Sequence, residues 1–212
     1  MAEPAELYDA ILTGNAKKAE EVTKAALAAG ADPSELLGKY MIPAMDEVGK
    51  RFECNDYFVP ELLIAARAMK TALLLLTPKL AAAGVKAAGR VVIGTVQGDL
   101  HDIGKNLVAS MFEGGGFKVV DLGVDVSPLK FVEAAKEEDG SIVALSALLT
   151  TTMTQMKLVV QELKAAGLRE KTKVIIGGAP ITQQYADEIG ADGYSDNASG
   201  AVGLVRKLVG AG

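Results

Sequence analysis

From residue 90 onward the hydrophobic period of the chain keeps switching, and this alternation restricts the fold more than any other feature. Apolar, β-branched runs (RVVIGTV, FKVVDLG, SIVALSA, KVIIGG and the weaker DGYSD) are each followed by a stretch with helical spacing (IGKNLVASMF, LKFVEAAKEE, TMTQMKLVVQELKAAG, TQQYADEIG, ASGAVGLVRKLV). Five strand–helix repeats predict a five-stranded parallel sheet with helices on both faces and right-handed crossovers. In open sheets of this kind ligands bind beyond the carboxyl ends of the strands.

Residues 1–88 show helical spacing only. AELYDAIL opens, with Gly14 as a stop, and Asn15 can cap AKKAEEVTKAALAA, whose Ala19, Val22, Ala26 and Ala29 share one face. Asp32, Pro33 and Glu35 form a capping-box-like start to a third helix. That helix carries Leu36, Leu37, Tyr40, Met41, Met45 and Val48 at apolar positions, with a kink expected at Pro43. Asn55-Asp56 marks a break before the most apolar helix, VPELLIAARAMKTALLLL. Four helices with short links predict an antiparallel bundle. TPKLAAAGVKAAGR then reads as a linker, giving domains 1–88 and 89–212 with the boundary near Ala88. Cys54 is expected to be a small buried hydrophobe.

Composition narrows the function. Half of the 212 residues are apolar, and with five Tyr, five Phe and no Trp the core must be mainly aliphatic. A net charge of −5 argues against a nucleic-acid partner, which needs a basic face. A single cysteine makes no internal disulfide and fits a reducing compartment. ALLLLTP, flanked by Lys70 and Lys79, falls well short of the roughly 20 apolar residues of a membrane span. The amino terminus shows no signal-peptide pattern. These features predict a soluble, cytoplasmic protein.

The chemistry concentrates in QGDLHDIGKNLV, between the first strand-like run and its helix. It holds the sole histidine, His101, with Asp99 two residues before it and Asp102 directly after. One alternative is a structural loop histidine. A phosphate loop fits poorly, because five residues separate Gly98 from Gly104-Lys105 where that motif has four, and Asn106 replaces its Ser/Thr. An exposed imidazole with a nearby carboxylate suits a metal ligand whose second nitrogen donates to that carboxylate. One His and one Cys do not complete a protein-only site, so further ligands must arrive with a cofactor.

GDLHDIGKNLV resembles the D-x-H-x-x-G signature of cobalamin-binding proteins of the methionine synthase and corrinoid methyltransferase type. LSALLTTT, with Ser146 and Leu148, resembles their S-x-L element, and IIGGAP, with Gly177 and Gly178, their GG element. The three occur in the family's order, and the helical segment also fits, so the resemblance spans nearly the whole chain. It implies a flavodoxin-like cobalamin-binding domain behind a helical cap, similar to the corresponding domains of methionine synthase.

The resemblance also implies roles for individual residues. His101 would replace the cofactor's own base as the axial ligand of cobalt, with Asp99 accepting from its other nitrogen. Thr152, at the position of a family serine, would extend this relay, so that a proton can be taken up as the ligand lets go. Gly98, Leu100, Asp102, Ile103 and Gly104 complete the cofactor-binding loop. Gly177 and Gly178 would open a slot for the displaced nucleotide tail, with hydroxyls from Ser146 and Thr150 and an apolar wall from Leu148. Ala198 matches a further contact, and Thr182 reads as a helix cap. Phe52 and Val59 match the residues shielding the upper face of the corrin, with Phe58 compensating for the short Val59.

The implied function is that of a corrinoid carrier, not an enzyme by itself. It would take a methyl group onto cobalamin from a substrate-specific methyltransferase. A second methyltransferase would pass that group to tetrahydrofolate or a thiol, and a reductive activase would restore the cofactor. No substrate barrel, about 250 residues, fits in the chain. The cap must swing aside, and Gly84 and Gly89 offer a hinge. The alternatives are a cobalamin-binding sensor without methyl turnover, or a flavodoxin-like signalling domain without cobalamin.

Overall fold

The computed structural model describes residues 5–85 and 87–210. Residues 1–4, on which the reading of the amino terminus partly rests, and Lys86 of the linker lie outside them. The chain divides into two compact units, Met1–Ala87 with Glu113–Gly116, and Ala88–Phe112 with Phe117–Gly212. Among the described residues no helix is long and apolar enough to cross a membrane.

The first unit is helical. α1 (Ala5–Leu12) and α2 (Ala16–Ala28) are separated by Gly14, whose φ is 72°, and by Asn15, whose side chain accepts from the Lys18 N–H. The buried stripe of α2 is Ala19, Val22, Thr23 and Ala26. Ala29, expected on that stripe, is exposed at the helix end. Thr23 is buried beside it and satisfies its hydroxyl on the Ala19 carbonyl at 2.7 Å.

The third helical stretch begins with α3 (Pro33–Glu35), capped by the Asp32 carboxylate on the Ser34 N–H. Glu35 does not complete a capping box, because its carboxylate pairs with Lys39 at 3.0 Å instead. A π-helical turn, Leu36–Met41, then leads into α4 (Ile42–Glu53). The wider turn supplies what the expected kink would have: Pro43 falls in the first turn of α4, where its missing N–H costs least. Cys54, expected to be buried, is exposed, since it caps the end of α4 before Asn55 turns into a left-handed φ of 61°.

α5 (Val59–Ala82) starts with the Phe58 N–H donating to Glu61 Oε2 at 2.9 Å. It runs through Pro78, so its last turns occupy part of the expected linker. Pro78 frees the carbonyl of Leu74, which sits on the exposed side of the helix, so the loss is small. α5 packs on α2 and α4, and α1 on α2 and α4.

The second unit alternates strand and helix as the period predicted. β1 (Arg90–Thr95), α6 (Ile103–Gly114), β2 (Lys118–Asp121), α7 (Pro128–Lys136), β3 (Ile142–Ser146), α8 (Thr154–Ala165), β4 (Lys173–Gly177), α9 (Gln183–Ile189), β5 (Gly193–Tyr194) and α10 (Ala198–Val209) follow in order. All pairings are parallel and the strand order is β2-β1-β3-β4-β5. β1 and β3 read as continuous apolar runs because helices cover both faces. Val92, Val143, Phe131, Val159 and Val174, each fully buried, anchor one core layer, at about 1.5–3 kcal/mol per buried side chain of this kind. Gly94 makes room for Phe131, whose ring would lie 2.8 Å from a Cβ there.

This strand order reverses direction between β1 and β3. In a doubly wound sheet that point opens a crevice at the carboxyl ends of the strands. The loops after Thr95 and Ser146, which pair across β1 and β3, therefore face each other at the crevice.

Candidate functional site

Asp99 is the centre of that crevice. Its loop leaves β1 through Gly98, at φ 81°. Thr95, the last residue of β1, holds the far side of the loop by donating its hydroxyl to the His101 carbonyl at 2.7 Å. The Asp99 side chain is fully buried, and both oxygens are used. Oδ1 accepts from His101 Nδ1 at 2.8 Å and from the His101 N–H at 3.1 Å. Oδ2 accepts from the Thr152 hydroxyl at 2.7 Å and from the Leu148 N–H at 2.8 Å, with the Leu149 N–H at 3.4 Å.

Burial alone would push the Asp99 carboxyl up. The hydrogen bonds from Leu148, Thr152 and His101 outweigh it and hold the group well below the usual carboxylate range. The carboxylate is therefore an acceptor only, which fixes the proton of a neutral His101 on Nδ1. Nε2 is left with its lone pair, on a side chain that is 53% exposed.

Exposed apolar groups flank the imidazole. Leu100 and Ile103 are 72% and 77% exposed, and Leu148 and Leu149 also stand out from the surface. Such side chains beside a polar centre are what a large planar ligand would cover. Gly104 is exposed, and a Cβ there would meet no protein atom within 4 Å, so the fold itself does not demand glycine. Asp102 is exposed and starts α6, its carbonyl accepting from the Asn106 N–H at 2.7 Å.

The other sequence-predicted residues divide into groups. Thr152 lies with Asp99, and Ser146 ends β3 with its carbonyl accepting from the Val96 N–H. Thr150 is exposed on the same loop. Gly177 ends β4, and a Cβ on it would lie 3.1 Å from the Ser195 carbonyl. At Gly178, with φ 135°, a Cβ would lie 1.9 Å from the carbonyl oxygen of Ala147. The neighbouring backbone alone therefore requires glycine at position 178. Ala198 is buried at the start of α10, and Thr182 caps α9 by accepting from the Tyr185 N–H. Phe58 and Val59 are exposed and Phe52 half-buried, all in the helical unit.

Three contributors were not legible beforehand: the Leu149 N–H, the Thr95 hydroxyl and Asp125, whose Oδ1 accepts from the Gly98 N–H at 2.7 Å. Only Thr95 carried a signal, as the one hydroxyl in an otherwise apolar strand run that ends at the site loop. Among the described residues no group of three or more His, Cys, Asp or Glu could hold a metal ion.

A family model described as a B12 binding domain matches residues 89–203, and a second with the same description matches residues 5–77. The chain belongs to the B12-binding family. A similar B12-family chain is trimethylamine corrinoid protein 1 of Methanosarcina acetivorans, 47% identical over 97% of this chain and 96% of that protein. Among solved structures, a cobalamin-binding protein from Desulfitobacterium hafniense is 35% identical, with a TM-score of 0.79, over 98% of this chain and 99% of that one. The methanol:cobalamin methyltransferase complex MtaBC of Methanosarcina barkeri is 28% identical, with a TM-score of 0.85, over 97% of this chain and 79% of that one. Cobalamin and related corrinoids are thus the ligand class of this B12-binding chain.

Proposed function

We propose that the chain is a corrinoid methyl carrier, serving a substrate-specific methyltransferase on one side and a methyl-acceptor methyltransferase on the other. The observation that carries this reading is the Asp99–His101 pair: a buried carboxylate holds Nδ1 of a half-exposed imidazole, on a loop that carries exposed apolar side chains. The donor set fits a corrinoid, which would bring the remaining metal donors with it, so that a single imidazole suffices. When bound, cobalt supplies the chemistry of taking up and releasing a methyl group.

The chain's own residues hold and tune. His101 Nε2 would hold the cobalt, with Asp99 orienting the ring and setting its tautomer and Thr152 tying Asp99 to the loop after β3. Gly104 leaves open space, and Leu100, Ile103 and Leu148 provide apolar contact. Gly98, Asp102, Ser146, Thr150, Gly177, Gly178 and Ala198 stay in the proposed binding surface. In this reading residues 89–212 bind the cofactor and residues 1–88 cap it, with Phe52, Phe58 and Val59 as the shield; the exposure of Phe58 and Val59 supports that role.

The carrier is proposed to have no methyltransferase activity alone and to need a reductive activase. Similar chains bear the names of different donors, trimethylamine, dimethylamine and methanol among them. This supports placing donor choice in the partner methyltransferase, with tetrahydrofolate or a thiol as acceptor. The test is to reconstitute the purified chain with cobalamin, add a methylamine or methanol methyltransferase with its substrate, and follow methylation spectroscopically and transfer to a thiol. Turnover that needs both partners is expected. Corrinoid binding without turnover across the donor panel would favour a sensor, and a colourless preparation would end the proposal.

A further inference from the structure

Asp125 stands in the left-handed region, at φ 52°, which few non-glycine residues adopt. The edge of the sheet shows how it gets there. β1 and β2 pair at Ile93–Asp121 and meet again at a Val96–Val126 bridge, so five steps on one side match three on the other. The surplus forms a bulge, with Gly123 at φ 86°. Bulges re-aim the side chain that follows, and here Asp125 is carried onto the loop that leaves β1.

There it makes two bonds to adjacent residues. Its Oδ1 accepts from the Gly98 N–H at 2.7 Å, and its own N–H donates to the Asp99 carbonyl at 3.0 Å. The bulge is itself braced. Asp121 Oδ1 accepts from the Gly123 N–H at 2.9 Å, and the Gly123 carbonyl accepts from the Thr95 N–H at 3.0 Å. Lys105, buried in the first turn of α6, reaches Asp121 Oδ2. A left-handed aspartate persists when its surroundings over-determine it, and such positions cluster where function needs a fixed geometry.

We propose that Asp125 is a positioning residue for the His101 ligand. By holding the Gly98–Asp99 backbone from outside the motif, it sets where the Asp99 carboxylate meets the imidazole. This rests on the reading of His101 as the axial ligand. The same chemistry makes the β2–α7 bulge, and not the histidine loop alone, part of the cofactor site.

The test compares Asp125→Gly, which keeps the left-handed backbone and loses the acceptor, with Asp125→Asn, which keeps both. In the cofactor-free protein, the Gly98 amide of Asp125→Gly should exchange faster and move upfield by NMR, with the thermal midpoint reported alongside. After reconstitution, Asp125→Gly should lose His-ligated spectrum in favour of the unligated form and bind cobalamin about 10-fold or more weakly. Asp125→Asn should restore both. His101→Ala is the control for the underlying reading. If it leaves the spectrum unchanged, axial ligation itself is wrong. If it shifts the spectrum while Asp125→Gly matches the wild type, only the positioning role fails. A lowered thermal midpoint with an unchanged His-ligated fraction would also overturn it, because a purely structural brace predicts that pattern.

Discussion

The Thr152 hydroxyl donates to Asp99 Oδ2 across 2.7 Å, joining residues 53 positions apart in the chain. With the Leu148 N–H on the same oxygen, it ties the loop after β1 to the loop after β3. The buried carboxylate is the joint, and what happens to it reaches His101 directly.

Removing that hydroxyl leaves the buried oxygen one donor short. Thr152→Val should destabilise the cofactor-free protein by about 1.5–3 kcal/mol, the range for hydrogen bonds to charged groups. Thr152→Ser should recover most of it. Denaturant unfolding of the three proteins checks this, and equal midpoints for valine and wild type would show that the bond contributes nothing.

The depressed Asp99 carboxyl predicts a direction in pH. A group whose folded pKa lies below its unfolded value stabilises the fold fully above the unfolded pKa, near 4. That contribution drains away as pH falls toward the folded value. Asp99→Asn should therefore be less stable than wild type at pH 7, with the gap narrowing below about pH 4. Unfolding curves at a series of pH values would show it, and a gap that widens in acid would contradict the assignment.

Two glycines should respond in opposite ways. Gly178→Ala drives a Cβ into the Ala147 carbonyl at a φ of 135°, so it should lose stability without any cofactor present, by about 1–3 kcal/mol or more. Gly104→Ala meets nothing and lies in the first turn of α6, so its cofactor-free stability should hold or rise by up to about 1 kcal/mol. Its cobalamin affinity should fall, because the added methyl occupies space the fold leaves open. Calorimetry of the cofactor-free variants, followed by titration with cobalamin, separates the two effects.

His101→Ala should keep the fold, since the ring is half in solvent, with some loss of stability because the buried Asp99 carboxylate loses one donor. The reconstituted variant should lose the His-ligated cobalamin spectrum. A cooperative melting curve with a somewhat lowered midpoint, together with an altered visible spectrum, is the expected pair of results.

Local chemistry made much of this legible. The Asp99–His101 bond spans two residues, so the motif nearly closes it by itself. Asn15, Asp32 and Thr182 cap the helices their positions suggested. Failures fell where local rules compete: Glu35 chose Lys39 over the helix terminus, and Pro78 stayed inside α5. Cys54 read as core because the residue type prefers burial, yet it landed on a helix end in solvent.

By itself, the sequence settles the alternating strands and helices, the exposed histidine loop and the carboxylate beside it, because each depends on residues only a few positions apart. Tertiary structure alone decides that Thr152, Leu148 and Asp125 converge on that loop. Those contacts span 27 to 53 positions. They exist because the sheet order places β1 between β2 and β3, bringing both neighbouring exit loops against one aspartate. Hydrophobic period specifies that strands form and which faces they bury; which strands become neighbours is decided when the sheet assembles.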